Sequence, residues 1–181
     1  DNWVGQFHLA ASEHPDTILH AGTYTQSWIT DVNESNQTVL RAVGDQEPTY
    51  CDPFDVLLQA RDNQCPPIGL SFPAFYFQKL GIIFDETLNT REDWDYLMRV
   101  AYIAGVTDID ETTALYRQWM NTDNSRTVHN AKDWDMSYLY VEDKIMDMPI
   151  LIPQGSRKSV SAESVRACAE RLAAPRGPRV N

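Results

Sequence analysis

Cysteine is scarce in this chain. Cys51, Cys65 and Cys168 are the only three, an odd number without C-x-x-C spacing among 181 residues. That set supplies neither a disulfide framework nor a structural zinc site, and a reducing, cytoplasmic setting is the expectation. Positive charge is also in short supply: 15 Lys and Arg stand against 26 Asp and Glu, for a formal net charge of -11. Such a surface repels phosphate backbones and anionic headgroups, which excludes nucleic acid and acidic membrane surfaces as partners. No apolar run approaches the ~20 residues of a transmembrane helix, and no signal peptide is read at the start. There is no internal repeat, no linker composition and no Gly-rich phosphate loop. What remains is ordinary globular material, 43% hydrophobic and 10% aromatic, enough for one domain with a substantial core.

The pattern along the chain predicts helices and strands in mixed order. Trp3, Phe7, Ala10 and Ala11 share one face of a helix over 2–14, with Asp1 as cap and Pro15 just past its end. Residues 18–29 read as a strand with an irregularity at Gly22. A polar turn over 31–37 leads to a second strand over 38–43, forming a hairpin. Residues 44–50 read as loop, 54–60 as a short helix, 61–67 as loop and 68–77 as a buried strand and turn. Strands over 106–110 and 112–119 follow a helix over 90–104. A helix over 131–148 then carries Trp134, Tyr138, Val141, Ile145 and Met148 on one stripe. A connector over 149–158, a last helix over 161–172 and a disordered tail complete the chain. His8 and His20 lack a ligand-spaced partner.

The stretch 84–99 holds the candidate chemistry. Thr90 suits an N-cap, and Asp93, three residues on, is where a capping-box side chain reaches back. Trp94, Leu97, Met98 and Ala101 recur at helical spacing, and Gly105 closes the pattern at C′. Glu92 and Asp93 therefore stand in the first turn, where the macrodipole favours carboxylates; on those grounds alone they are caps. Trp94 falls on the apolar face. Arg99, four residues after Asp95, makes an i, i+4 pair worth a few tenths of a kcal/mol.

The order of motifs adds a second reading. Leu80-Gly81-Ile82-Ile83-Phe84-Asp85-Glu86-Thr87-Leu88, followed by Glu92-Asp93-Trp94-Asp95 and Arg99, resembles the G-x-F-D-E-x-L and E-D-W-D-x-x-x-R elements of family-2 inverting glycosyltransferases of the GT-A fold. Thr113-Ala114-Leu115-Tyr116-Arg117 and Asn124-Ser125 are similar to that family's T-x-x-Y-R and N-S close. Trp3, Phe7 and His14-Pro15-Asp16 are similar to its W-x-x-x-F helix and h-P-D turn. The resemblance covers roughly residues 1–126. It implies an α/β fold: a partial GT-A-like mixed sheet with flanking helices over 1–158, lacking the N-terminal nucleotide-binding half, with a C-terminal helix and tail over 159–181.

On this resemblance Asp93 is the general base, taking the proton of an acceptor hydroxyl as it attacks the anomeric carbon. Glu92 binds an acceptor hydroxyl or holds the loop, and Trp94, Asp95 and Arg117 complete the substrate-binding set. The implied reaction is an inverting, hexosyl-type transfer from a nucleotide-sugar donor to a carbohydrate acceptor in polysaccharide or glycoconjugate synthesis. The family holds a divalent ion, Mn or Mg, on the donor diphosphate through a D-x-D motif placed before the Trp3 helix, and that motif is not in this chain. Asp108-Ile109-Asp110 and Asp133-Trp134-Asp135 spell it in the wrong place and read as surface charge and a helix cap. Trp119 stands where the family often has His, with His129 ten residues further on. The expectation is thus the acceptor-side portion of an enzyme, either a piece of a longer protein or a truncated relative. The alternative is a non-catalytic, acidic carbohydrate- or protein-binding module. An incomplete sheet with an unpaired edge also invites pairing with a second copy.

Overall fold

Residues Ile18–Val32 form one 15-residue strand, β1, and each of the other four strands among the described residues pairs with it. The structure is a computed structural model that describes residues 3–121 and 128–149. The readings made for Asp1, for Asn124-Ser125, and for the connector, last helix and tail beyond 149 lie outside the described residues. Along one side of β1 lie β2 (Thr38–Ala42), β3 (Glu47–Tyr50) and β4 (Leu70–Ser71), all antiparallel. Along its other side β5 (Val106–Trp119) runs parallel. The result is a mixed, open five-stranded sheet in an α/β fold, flanked by helices α1 (Trp3–Glu13), α2 (Val56–Arg61), α3 (Ala74–Gln78), α4 (Glu92–Ala104) and α5 (Ala131–Met146). Among the described residues no helix is long and apolar enough to cross a membrane.

The hairpin expected over 18–43 is present. Its turn closes on Asn33, whose side-chain oxygen accepts the N–H groups of Ser35 and Gln37 at 3.0 and 2.9 Å. The irregularity expected at Gly22 is a register shift against β5, and a Cβ there would stand 3.0 Å from the Thr112 hydroxyl oxygen and 3.3 Å from the Cys51 sulfur. The two strands expected over 106–119 are one strand bent at this point.

Two expectations fail locally. Residues 47–50 are strand rather than loop. Glu47-Pro48-Thr49-Tyr50 carries almost no strand signal, and Pro48 is tolerated because the segment pairs at an irregular stretch of β1. Of the buried strand and turn expected over 68–77, the strand is only two residues long, and a helix follows it. A turn of 3-10 helix, Pro67–Gly69, precedes the two residues of β4, and Pro73 then opens α3. Leu70 and Tyr76 are buried, but Phe75 and Phe77 are 54% and 50% exposed.

Helix α4 occupies the centre of the packing, with apolar side chains on two faces. Tyr96, Leu97, Val100 and Ala101 meet Ile18, Leu70 and Tyr76 beneath the sheet. Trp94 and Met98 meet Tyr138, Val141 and Ile145 of α5. On the sheet's other apolar patch α1 sets Phe7 against Leu19 and Ala21. Gly105 ends α4 as expected, at φ 69°, a conformation that glycine adopts without penalty.

Candidate functional site

The start of α4 differs from the expected cap. Thr90 is buried with its hydroxyl unpartnered, and the N-cap is Arg91 at φ 63° and ψ 16°, without a side-chain capping bond. The left-handed turn at Arg91 moves the helix start one residue along, so Asp93 does not reach back to Thr90. A non-glycine residue in this region is strained and persists only where its surroundings over-determine it. Here they do. The Arg91 guanidinium lies over the rings of Trp94, Trp134 and Tyr138 at 5.5, 5.5 and 4.9 Å, and Nη1 stands 3.4 Å from Asp62.

This strained start borders a cleft of about 840 Å³. Tyr50 of β3, the loop over 62–67, the segment over 89–93, Tyr116 of β5, His129, and Trp134 and Asp135 of α5 line it. Glu92 and Asp93 both reach it. Asp93 Oδ1 accepts the N–H of Trp94 at 2.8 Å, and Oδ2 faces the amide nitrogen of Asn63 at 3.4 Å. Burial pushes the Asp93 carboxyl above the usual Asp value; the Trp94 N–H opposes that shift and the charge of Glu92 adds to it.

The structure does not bring the other three expected residues to the cleft. Trp94 is fully buried, stacked on Tyr138 at 5.5 Å, and its indole N–H donates to the Gln59 carbonyl at 2.7 Å. Its ring faces core rather than a sugar. Asp95 has a fully enclosed side chain: Arg99 donates to Oδ2 at 2.9 and 2.7 Å, and Lys144 Nζ lies 2.6 Å from Oδ1. Arg117 lies over the Trp28 ring at 4.5 Å; its neighbour Tyr116 takes the cleft-facing position, because successive strand residues point to opposite faces. Consecutive residues on a helix are about 100° apart, which is how Asp93, Trp94 and Asp95 reach cleft, core and ion pair in turn.

Asp85 of the G-x-F-D-E stretch belongs to the same charge cluster, at its partly exposed edge. Its Oδ1 accepts the Thr87 hydroxyl at 2.6 Å, and Lys144 donates to its Oδ2 at 3.0 Å. Those bonds, the Thr87 hydroxyl first, hold its carboxyl well below the usual range. Phe84 stacks on Tyr96 at 4.4 Å. The two motif segments are thus fastened together through Lys144 and the stacked rings. Asp108, read from sequence as surface charge, accepts from Phe54 N–H at 2.9 Å and pairs with buried His20 at 2.7 Å.

Sequence reasoning missed Asn63, Arg91, Tyr116 and Trp134 as cleft residues. Trp134 was legible only as part of an apolar stripe, and nothing local in the sequence marks a left-handed Arg91. Cys65, in the 62–67 loop, is buried and its thiol is pushed up to about 12, by burial and then by Asp108, so it offers no thiolate nucleophile. Among the described residues no group of three or more His, Cys, Asp and Glu side chains converges to hold a metal, so the ion implied by the resemblance finds no ligand set there. No family model, curated protein or solved structure matches this chain.

Proposed function

We propose that this chain supplies the acceptor site and catalytic base of an inverting glycosyltransferase of the GT-A type, with the nucleotide-sugar donor and its divalent ion held by strand–loop units that this sequence does not contain. The observation that carries the reading is Asp93: a carboxylate in the first turn of α4, on the wall of a large cleft, whose burial raises its proton affinity. A base works best when its pKa moves toward the operating pH, and this shift is in that direction. Tyr50, Tyr116 and Trp134 offer ring edges or faces, and Glu92 and Asn63 offer hydrogen-bonding groups, the mixture that binds sugars.

In the proposed step the acceptor hydroxyl oxygen attacks the anomeric carbon from the side opposite the nucleotide. Its proton passes to an Asp93 carboxylate oxygen and later to solvent. The bond to the departing diphosphate breaks with its electron pair on the diphosphate oxygen, and the configuration inverts. Glu92 holds a second acceptor hydroxyl. Trp94, Asp95 and Arg117 act on this reading through the fold rather than on the sugar.

The test has two arms. Thermal-shift titration of this chain with hexose oligosaccharides is expected to raise stability by about 2.7 kcal/mol at 100 times the dissociation constant, equally for the parent and for Asp93→Asn. Uridine and thymidine diphosphates, with Mn²⁺ or Mg²⁺, are expected to give no shift; a metal-dependent shift would place a donor site here and overturn the half-site reading. With the donor-binding half supplied, Asp93→Asn is expected to lose roughly 10²-fold or more in turnover. Saccharide binding with no turnover to lose is the behaviour of a binding module and removes the base assignment.

A further inference from the structure

Asp93 sits in a closed circuit of hydrogen bonds that leads through α2 and back. The Trp94 N–H donates to Asp93 Oδ1 at 2.8 Å, and the Trp94 indole donates to the Gln59 carbonyl at 2.7 Å. The Gln59 side-chain amide donates to Asn63 Oδ1 at 2.9 Å, and the Asn63 amide faces Asp93 Oδ2 at 3.4 Å. Gln59 is only 1% exposed although it lies on a short helix whose neighbours Leu57 and Leu58 are 42% and 49% exposed. A polar residue has been taken inside where two leucines have not. Burial of an amide costs free energy unless every group is bonded, and here each is. Its Oε1 accepts the Gln64 N–H at 2.8 Å.

The circuit also has a direction. Asn63 Oδ1 accepts from both Gln59 and the Cys65 N–H, the latter at 3.3 Å. Flipping the Asn63 amide would set its NH₂ against two donors and its oxygen against the Asp93 carboxylate. One orientation survives, and it aims an N–H at Oδ2.

We infer that Asn63, held by buried Gln59, is a positioning residue that fixes the plane of the Asp93 carboxylate against the cleft; the inference rests on the base reading of Asp93 only for its catalytic consequence. Trp94 pins Oδ1 from the helix side and Asn63 pins Oδ2 from the loop side. Each oxygen keeps a lone pair, so an acceptor hydroxyl meets a carboxylate whose orientation is set before it binds. Pre-set geometry of this kind is what a proton transfer over a single hydrogen bond requires.

The experiment is a pH titration of the Asp93 carboxyl carbon by NMR in the full chain, for the parent, Asn63→Leu and Asn63→Ala. Asn63 is only half-buried, and circular dichroism confirms which variants are folded. Removing a donor to the ionised form is expected to raise the Asp93 midpoint by about half a pH unit in both variants. An unmoved midpoint in either folded variant overturns the positioning role. Gln59→Leu is expected to move it in the same direction, because Asn63 then loses the donor that orients it; a Gln59→Leu midpoint equal to the parent's overturns the circuit. A shifted midpoint in the Asn63 variants, combined with full transfer by Asp93→Asn, would leave the positioning standing and remove the base reading.

Discussion

At Asp93 the requirements of a base and of a stable fold pull apart. Its folded-state pKa lies above the ordinary 3.8, because burial and then Glu92 disfavour the charge more than the Trp94 N–H favours it. The folded state therefore binds this proton more tightly than the unfolded state does. In the window just above the ordinary value, stability falls as pH rises; at neutral pH the ionised carboxylate is a net cost, and below both values the effect vanishes. Asp93→Asn is expected to melt higher than the parent at pH 7, with the gain shrinking as pH falls toward about 4. The Trp94 N–H keeps an oxygen acceptor in that variant, while the longer 3.4 Å bond from the Asn63 amide is lost, a smaller effect than the buried charge. A lower melting temperature at pH 7, measured by calorimetry, would show that the charge is better satisfied than its burial implies. The first-turn position of Asp93 was legible in the sequence, since acidic residues ahead of a helical apolar pattern mark a helix start. The cap was not, because Arg91 takes a conformation that its residue type disfavours and that only contacts distant in sequence hold.

At the scale of the element, α4 uses one short motif for three purposes. Asp93 faces the cleft, Trp94 fills the space between α4 and α5, and Asp95 is the enclosed member of a charge cluster with Arg99, Lys144 and Asp85. The i, i+4 spacing of Asp95 and Arg99 was legible, and the pair is formed. Its energetic weight was not, because an exposed pair is worth a few tenths of a kcal/mol, whereas Asp95 has 0% side-chain exposure and a second cation, Lys144 of α5, distant in sequence. Removing the enclosed carboxylate leaves Arg99 without its partner and Lys144 with Asp85 alone. Asp95→Ala is expected to cost about 3 kcal/mol, the low end of the range for buried pairs, since Arg99 and Lys144 are 22% and 27% exposed and hydrate in part. Lys144→Met is expected to cost less, because Arg99 still neutralises Asp95. Denaturant unfolding gives both values, and a larger loss for Lys144→Met would mean that its bond to Asp85 carries the cluster.

Across the whole molecule, legibility follows the range of the contacts. The hairpin, the register break at Gly22, α4, α5 and the α/β class were readable because turn residues and apolar periods encode them locally. The strand at Glu47–Tyr50 and the broken run over 67–78 were not, since both are decided by where β1 offers a free side. That strand also organises stability unevenly. Over 18–25 it has β5 along one side, β4 at 19–20 and β3 at 23 and 25 along the other, and it buries Ile18, Leu19, Ala21 and Thr23 at 0%, 2%, 1% and 0% exposure. Past Trp28 its only strand partner among the described residues is β2, with the Asn121 amide bonded at Thr30, and Val32 and Leu40 are 59% and 53% exposed. A two-stranded ribbon with exposed apolar residues has little stability of its own. Residues 29–42 are therefore expected to open locally, while 18–25 and the buried half of α4 open only when the molecule unfolds. Native-state hydrogen exchange read residue by residue would show it: amides over 18–25 should be protected at least about a hundredfold more than those over 29–32, a gap of ~2.7 kcal/mol. Uniform protection along β1 would mean that the hairpin end is held by contacts beyond this sheet, and its fifteen residues would then form a single cooperative unit.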